Sequence, residues 1–179
     1  MVRHFFTKNP GLLGLRHLRL IVVALAIQVI VVGLVQRISF DTAQGTLIAS
    51  YVLLLVALAP DLRNPAITVI FFGASLNFLV IAANGGAMPL DPFLFQDPSL
   101  GGATALSPAE FFPFSKDAIR FAEETRLRFL ADRLAFPGGI KVLFSVGDLV
   151  LAIGLAMLAA TAIGRALFSR NRRPNSSLI

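Results

Sequence analysis

Four apolar stretches divide this 179-residue chain, and each of them is bracketed by charged residues. They comprise residues 20–36, residues 42–60, a run from Arg63 to Gly85, and a run from Lys141 to Arg165. Each is close to the roughly 20 residues that a helix needs to cross a hydrocarbon core of about 30 Å. Soluble folds rarely contain such runs, so the sequence predicts an all-α polytopic membrane protein, a bundle of four transmembrane helices.

Composition supports the same prediction, because 56% of the residues are hydrophobic and the mean hydropathy is +0.78. Soluble domains average roughly 45–50% apolar residues. Basic residues gather before the first stretch and after the last one, whereas the first connection carries only Arg37. Positive charge marks the cytoplasmic side of a span, so both termini are predicted to be cytoplasmic and residues 84–141 to lie outside.

The net charge of +6 indicates contact with anionic lipid rather than with nucleic acid, because much of it flanks the membrane at the two termini. The chain contains no cysteine, which excludes disulfides and thiolate chemistry. Its two histidines, His4 and His17, cannot form a metal site by themselves. The sequence therefore predicts no metal and no cofactor, with the lipid bilayer and other membrane-protein subunits as partners.

The predicted organisation has five parts. They are a basic N-terminal arm (1–19), transmembrane spans 1 to 3 (20–83), an outer-side loop with an amphipathic helix (84–141), span 4 (142–168) and a basic disordered tail (169–179). The amphipathic helix is predicted over residues 115–136 because Ile119, Leu127, Leu130 and Leu134 share a face. Charges of alternating sign run down another face at i, i+4 spacing, which is typical of a solvated helix.

Asp148 is the charged residue inside the fourth stretch, and two interpretations of it stay open. A carboxylate within a span is a functional-site candidate, because its burial in lipid costs free energy. Ser145 and Asp148 also have the spacing of a capping pair, in which the carboxylate meets the positive end of the helix dipole. A cap at the membrane interface can also face a cavity, so the two interpretations are compatible.

Polar residues in the third stretch form a second set of candidates. Asn77 and Asn84 lie seven residues apart on one face, where amides either hydrogen-bond to a neighbouring helix or contribute, with Gln28, to a lipid or quinone pocket. Gly85 and Gly86 allow positive φ angles, which suits a tight exit turn or an anion-binding concavity.

Small residues recur every four positions along the fourth stretch, and such a row lets another helix approach closely. The row comprises Ala152, Ala156, Ala160 and Gly164. Its partner is predicted to be either the third span or another subunit.

Three sequence blocks carry a resemblance to known proteins: Ala-Asn-Gly-Gly-Ala-Met-Pro at 83–89, Leu-Ala-Asp-Arg-Leu at 130–134 and Phe-Ser-Val-Gly-Asp at 144–148. Together they resemble a bacterial family of small four-span membrane proteins without an assigned function. The resemblance implies a bacterial cytoplasmic membrane and no particular activity.

The first and last blocks are also similar to motifs of the lipoprotein signal peptidases, four-span aspartyl proteases with cytoplasmic termini. This similarity implies that Asp132 and Asp148 share a proton and activate water. The order of motifs differs, because in those peptidases two further spans separate the asparagine block from the final motif.

The leading functional prediction is a non-enzymatic accessory or assembly subunit that acts through helix packing with partners. The alternatives are an intramembrane aspartyl protease and a lipid-binding or quinone-binding membrane protein.

Overall fold

The computed structural model describes residues 15–35, 37–90, 116–119, 125–132, 134–135 and 143–171. Four α-helices dominate: α1 (Leu18–Leu34), α2 (Phe40–Leu58), α3 (Pro65–Ala83) and α4 (Val146–Asn171). Four short strands follow α3: β1 (Met88–Leu90), β2 (Asp117–Ile119), β3 (Leu134–Ala135) and β4 (Leu143–Phe144). Most of the predicted arm, residues 91–115 of the predicted loop and residues 172–179 of the tail lie outside the described ranges.

Side-chain caps fix where α2 and α3 begin. The Ser39 hydroxyl accepts a hydrogen bond from the Thr42 amide at 3.3 Å, and the Asn64 side chain accepts one from the Ala66 amide at 3.0 Å. Pro65 occupies the first turn of α3, where its missing N–H costs no hydrogen bond. The connections on either side of α2 are short, so α1, α2 and α3 run antiparallel to their neighbours.

The bundle core lies among the first three helices. α1 packs on α2, α2 on α3, and α3 on α4. The main apolar cluster joins α1, α2 and α3 through Ile21, Ala24, Leu54, Ala57, Leu58, Ile67, Ile70 and Ala74. A second cluster brings β1 and the segment around Leu130 against α2 and α3, through Tyr51, Val80, Ile81, Met88 and Leu130.

Among the described residues, three helical segments are long and apolar enough to cross a membrane, namely Phe40–Asp61, Pro65–Ala83 and Val146–Leu167. The apolar α1 has 17 residues and is slightly shorter. Large apolar side chains also point away from the bundle, among them Val29 on α1, which is 71% exposed, and Ile163 on α4. Exposed apolar faces on several helices are what contact with lipid requires and what water disfavours.

Glycines bring α3 and α4 into close contact. A Cβ atom added to Gly73 would lie 2.7 Å from the Leu151 nitrogen, and one added to Gly154 would lie 2.6 Å from Ile70 Cγ1. These contacts set the antiparallel register, in which Gly154 lies opposite Ala66 near the start of α3. The part of α4 after Leu158 therefore extends about 20 Å past the start of α3.

The predicted row of small residues on α4 does not make this contact. Its four members are exposed, and nothing lies within 4 Å of a Cβ atom placed on Gly164. The third span is therefore excluded as the partner of that row, because α3 contacts a different face of α4, through Gly147, Leu151 and Gly154.

The predicted amphipathic helix over residues 115–136 is wrong in its described parts. Residues 117–119 form strand β2, which pairs in parallel with β1, and residues 134–135 form strand β3, which pairs with β4. Between them Leu127 has a φ of 53°, in the left-handed region that a helix cannot accommodate. Pairs at i, i+4 spacing stabilise a helix by only about 0.2–0.5 kcal/mol each, which is less than the burial of Leu130 in the bundle provides.

Candidate functional site

Ser145 and Asp148 form a reciprocal cap at the head of α4. The Asp148 amide donates to the Ser145 hydroxyl at 3.0 Å, and the Ser145 amide donates to Asp148 Oδ2 at 3.1 Å. The hydrogen bonds of the predicted capping pair are therefore present. They satisfy two backbone donors that the first turn of the helix leaves free.

Asn77 joins this cap to α3. Its Nδ2 donates to Asp148 Oδ1 at 2.6 Å, and its Oδ1 accepts from the Ser145 hydroxyl at 2.8 Å. The side chain is buried, and Gly147 provides the space for it, because any Cβ atom at Gly147 would overlap the Asn77 amide. Asn77 therefore bridges two helices, as the sequence predicts for a buried amide.

Lys116, which lies outside the four helices, places a positive charge beside Asp148. Its Nζ lies 3.2 Å from Asp148 Oδ2 and 3.7 Å from Asp132 Oδ2. The lysine side chain is 22% exposed and the Asp132 side chain 2% exposed, so both charges are largely withdrawn from solvent. Backbone pairing positions the lysine, because the Met88 amide at the start of β1 donates to the Lys116 carbonyl at 3.0 Å.

Asp117 adds a third carboxyl group beside Asp132. Asp117 is one of the groups that raise the pKa of Asp132. Asp132 Oδ1 is buried and accepts no hydrogen bond from the described part of the chain. A proton on Asp132 removes the charge that this carboxyl group would otherwise carry in a buried site.

Lys116, Asp117, Asp132 and Asp148 form a group that we call the ionic cluster. Its electrostatics favour a protonated Lys116 and a neutral Asp132. Burial and the Asp117 carboxyl group raise the pKa of Asp132 to about 8, although Lys116 opposes the change. Burial alone would lower the pKa of Lys116, but the attraction of Asp132, Tyr51, Asp148 and Asp117 outweighs it, so the pKa is raised. Lys116 stays protonated at neutral pH, and Asp132 is held largely in its neutral form.

Asn84 lies apart from the cluster and fixes a loop. Its Oδ1 accepts from the Arg126 amide and its Nδ2 donates to the Arg126 carbonyl, both at 2.9 Å. A second donation, to the Val80 carbonyl at 2.7 Å, ties the same amide to its own helix. Asn84 and Asn77 are both buried. Asn84 hydrogen-bonds to backbone groups, whereas Asn77 hydrogen-bonds to the Asp148 carboxylate.

Gly85 and Gly86 form the exit turn of α3. Their φ angles are 78° and 101°, and their amides donate back to the Ala82 and Ile81 carbonyls at 3.3 and 2.8 Å. The geometry favours the turn over an anion-binding concavity, because both N–H groups are used within the turn. Gly86 also lies against α2, where an added Cβ atom would come within 2.5 Å of Gln44 Cβ.

A cleft of about 210 Å³ opens between α1 and α2 and reaches Lys116. Its wall is mostly apolar, and the residues that line it are Gln28, Val29, Val32, Leu47, Tyr51 and Lys116. Gln28 Nε2 is buried and has no hydrogen-bond acceptor among the described residues. The cleft thus combines an apolar wall with an amide donor that is left unused.

Sequence reasoning identified Asp148, Ser145, Asn77 and Gln28 but missed Lys116. The structure brings the first three together and places Gln28 beside the lysine in the cleft. A carboxylate inside a span predicts a nearby cation, so the sequence indicates that Asp148 has a basic partner. It does not identify Lys116 as that partner, because the outer segment contains several basic residues.

The geometry of the two predicted catalytic aspartates opposes the dyad of an aspartyl protease. Asp132 and Asp148 both contact Lys116, so an ammonium group lies between them. A protease dyad shares one proton because its two negative charges repel each other, and an intervening cation removes that repulsion.

These features define a helical bundle of membrane type with a buried ionic cluster at one end of α3. The chain belongs to the family of unknown function DUF5317, which matches residues 12–160. This agrees with the resemblance to an uncharacterised family. No curated protein and no solved structure matches the chain.

Proposed function

We propose that this chain is a four-span protein of the bacterial cytoplasmic membrane, with both termini in the cytoplasm, that binds a lipid or quinone-like amphiphile between α1 and α2. α1 supplies the fourth crossing in this proposal. Its 17 residues extend about 26 Å, and Arg19 and Arg37 at its two ends can reach the interfaces with their side chains.

The observation that carries the proposal is the unsatisfied amide of Gln28. A buried donor without an acceptor costs about 1–3 kcal/mol, so such groups are rare unless a ligand or water completes them. Gln28 and Val32 lie one helical turn apart on α1, and Leu47 and Tyr51 lie one turn apart on α2. The two helix faces therefore form an apolar slot with the amide inside it.

The size of the slot indicates which part of an amphiphile enters it. Pockets that enclose whole drug-sized ligands measure roughly 300–1,000 Å³, and this cleft is smaller at about 210 Å³. A head group or a single ring fits within it. The apolar tail would then lie along the exposed surface of α1 near Val29.

The chain contains one tyrosine, Tyr51, and no tryptophan, so its intrinsic fluorescence reports on the cleft alone. Brominated diacylglycerol and brominated phosphatidic acid, titrated separately into the detergent-solubilised chain, test the proposal. At least one probe is expected to quench Tyr51 saturably. Val32→Phe, which fills the slot, should abolish the saturable part, whereas the matched variant Val22→Phe on the exposed face of α1 should retain it.

Circular dichroism verifies that both variants fold. If neither probe gives saturable quenching, or if the two variants respond alike, the proposal fails.

A role as an accessory or assembly subunit stays a prediction. Its support is α4, of which only 11% of the most apolar stretch is buried and whose row of small residues is exposed. Lipid can cover the same surface, so the unsatisfied donor in the cleft is the stronger basis for a function.

A further inference from the structure

The charge state of Lys116 determines which head group the cleft can take. Its ammonium group is already shared between Asp148, with both oxygens at 3.2 and 3.4 Å, and Asp132 at 3.7 Å. An ammonium group has three N–H donors, and these carboxylates occupy the directions that point into the bundle. Lys116 therefore lines the cleft without being an uncompensated cation.

The balance of charge around the cleft opposes an anionic head group. Two carboxyl groups, those of Asp132 and Asp148, flank the ammonium group of Lys116 within the described ranges. Asp148 approaches the ammonium group with both of its oxygens, so the positive charge of Lys116 is already compensated. A phosphate placed against Lys116 would lie beside the Asp148 carboxylate in a poorly solvated site, where like charges repel strongly.

A cationic head group is opposed by Lys116 itself, because the lysine forms part of the cleft wall. Gln28 determines which polar atom the head group must carry. Its buried Nε2 can donate hydrogen bonds and cannot accept them, so its partner must present an acceptor oxygen.

We infer that the cleft selects amphiphiles whose head group is uncharged and carries a hydrogen-bond-accepting oxygen, such as a carbonyl or an ester, and rejects anionic phospholipids. This inference rests on the proposed binding function and adds the class of ligand. The apolar wall accommodates the neutral part of the head, and the Gln28 amide determines its orientation.

The two brominated probes described above test this selectivity, because they carry the same acyl tails and differ only in the phosphate. Diacylglycerol is expected to half-saturate Tyr51 quenching at a mole fraction at least about tenfold below that of phosphatidic acid, equivalent to about 1.4 kcal/mol. Gln28→Leu should weaken diacylglycerol binding about two- to tenfold, which is the effect of losing one hydrogen bond. The exposed-face variant Val22→Phe should leave both titrations unchanged.

Failure of the inference and failure of the proposed function give different results. Saturable quenching in which phosphatidic acid equals or exceeds diacylglycerol overturns the selectivity and leaves amphiphile binding intact. Unchanged diacylglycerol binding in Gln28→Leu overturns the role of the amide. Absence of saturable quenching by either probe removes the binding function itself.

Discussion

The α3–α4 pair and the α1–α2 pair each contain an amide side chain, but the N–H donor of the amide is hydrogen-bonded only in the α3–α4 pair. Between α3 and α4, Asn77 uses its oxygen and its nitrogen to bind Ser145 and Asp148, and glycines let the two helices touch. Between α1 and α2, Gln28 lies beside a cleft and its nitrogen has no acceptor within the described ranges. The hydrogen bonds of the first pair are complete, whereas the second pair leaves a donor that the proposed ligand would complete.

Lys116 lies where these two regions meet. On one side it neutralises the carboxylates at the end of α3 and α4, and on the other it lines the cleft. A ligand in the cleft would therefore contact the ionic cluster through Lys116.

The largest expected effect comes from breaking the ionic cluster. Lys116→Met leaves the Asp148 carboxylate, which is 30% exposed, without its cation, and removing one partner of a buried pair costs up to about 3–5 kcal/mol. Denaturant unfolding in detergent, followed by circular dichroism, measures the change in the free energy of unfolding.

Two further variants serve as controls for this prediction. Adding Asp148→Asn to Lys116→Met should recover part of the loss, because it removes the carboxylate that has lost its cation. Arg63→Met, at an exposed basic position, should change little. Equal losses in the Lys116 and Arg63 variants would contradict the role assigned to the lysine.

A matched pair of amide substitutions sharpens the comparison between the two helix pairs. Asn77→Leu removes the partners of Asp148 and Ser145 and should lower the free energy of unfolding by about 1–3 kcal/mol. Gln28→Leu removes a donor that has no acceptor, so stability in the absence of ligand should stay the same or rise. If the two variants lose stability equally, the contrast between a complete and an open interface is wrong.

The stability of the folded chain is also expected to depend on pH. The folded chain raises the pKa of Asp132 from 3.8 to about 8, so between these values it holds a proton that the unfolded chain has released. Stability is therefore full below the lower value and declines as pH rises through the interval, by at most about 1.4 kcal/mol per pH unit.

Thermal unfolding in detergent across this pH range tests the dependence. Asp132→Asn, which is neutral at every pH, should flatten the decline. Asp41→Asn, at an exposed carboxyl group on α2, should keep the slope of the parent chain. A midpoint that rises with pH would mean that Asp132 is ionised in the folded chain.

The helices were predictable because their signals are local. Charged residues bracket the apolar stretches, Ser145 and Asp148 lie three positions apart, and Gly85 and Gly86 have the positive φ angles that an exit turn requires. Each of these features depends on residues within a few positions of one another along the chain.

The segment between α3 and α4 was not predictable in the same way. Lys116 lies 32 positions before its partner Asp148, and nothing in the alternating charges of residues 115–136 shows that Lys116 and Asp132 turn inward. A local pattern of charges favours a solvated helix by a few tenths of a kcal/mol per pair, and tertiary contacts override preferences of that size. The cleft could not be predicted from the sequence either, because it depends on how α1 and α2 pack against each other.

The position of Lys116 just before β2, and ahead of α4, has a consequence for biogenesis. Synthesis proceeds from the amino terminus, so the ammonium group is made before the helix that bears Asp148. In the proposed four-span arrangement, the counter-ion of Asp148 is therefore already present when α4 is made, so α4 does not need to enter the bilayer with an uncompensated charge.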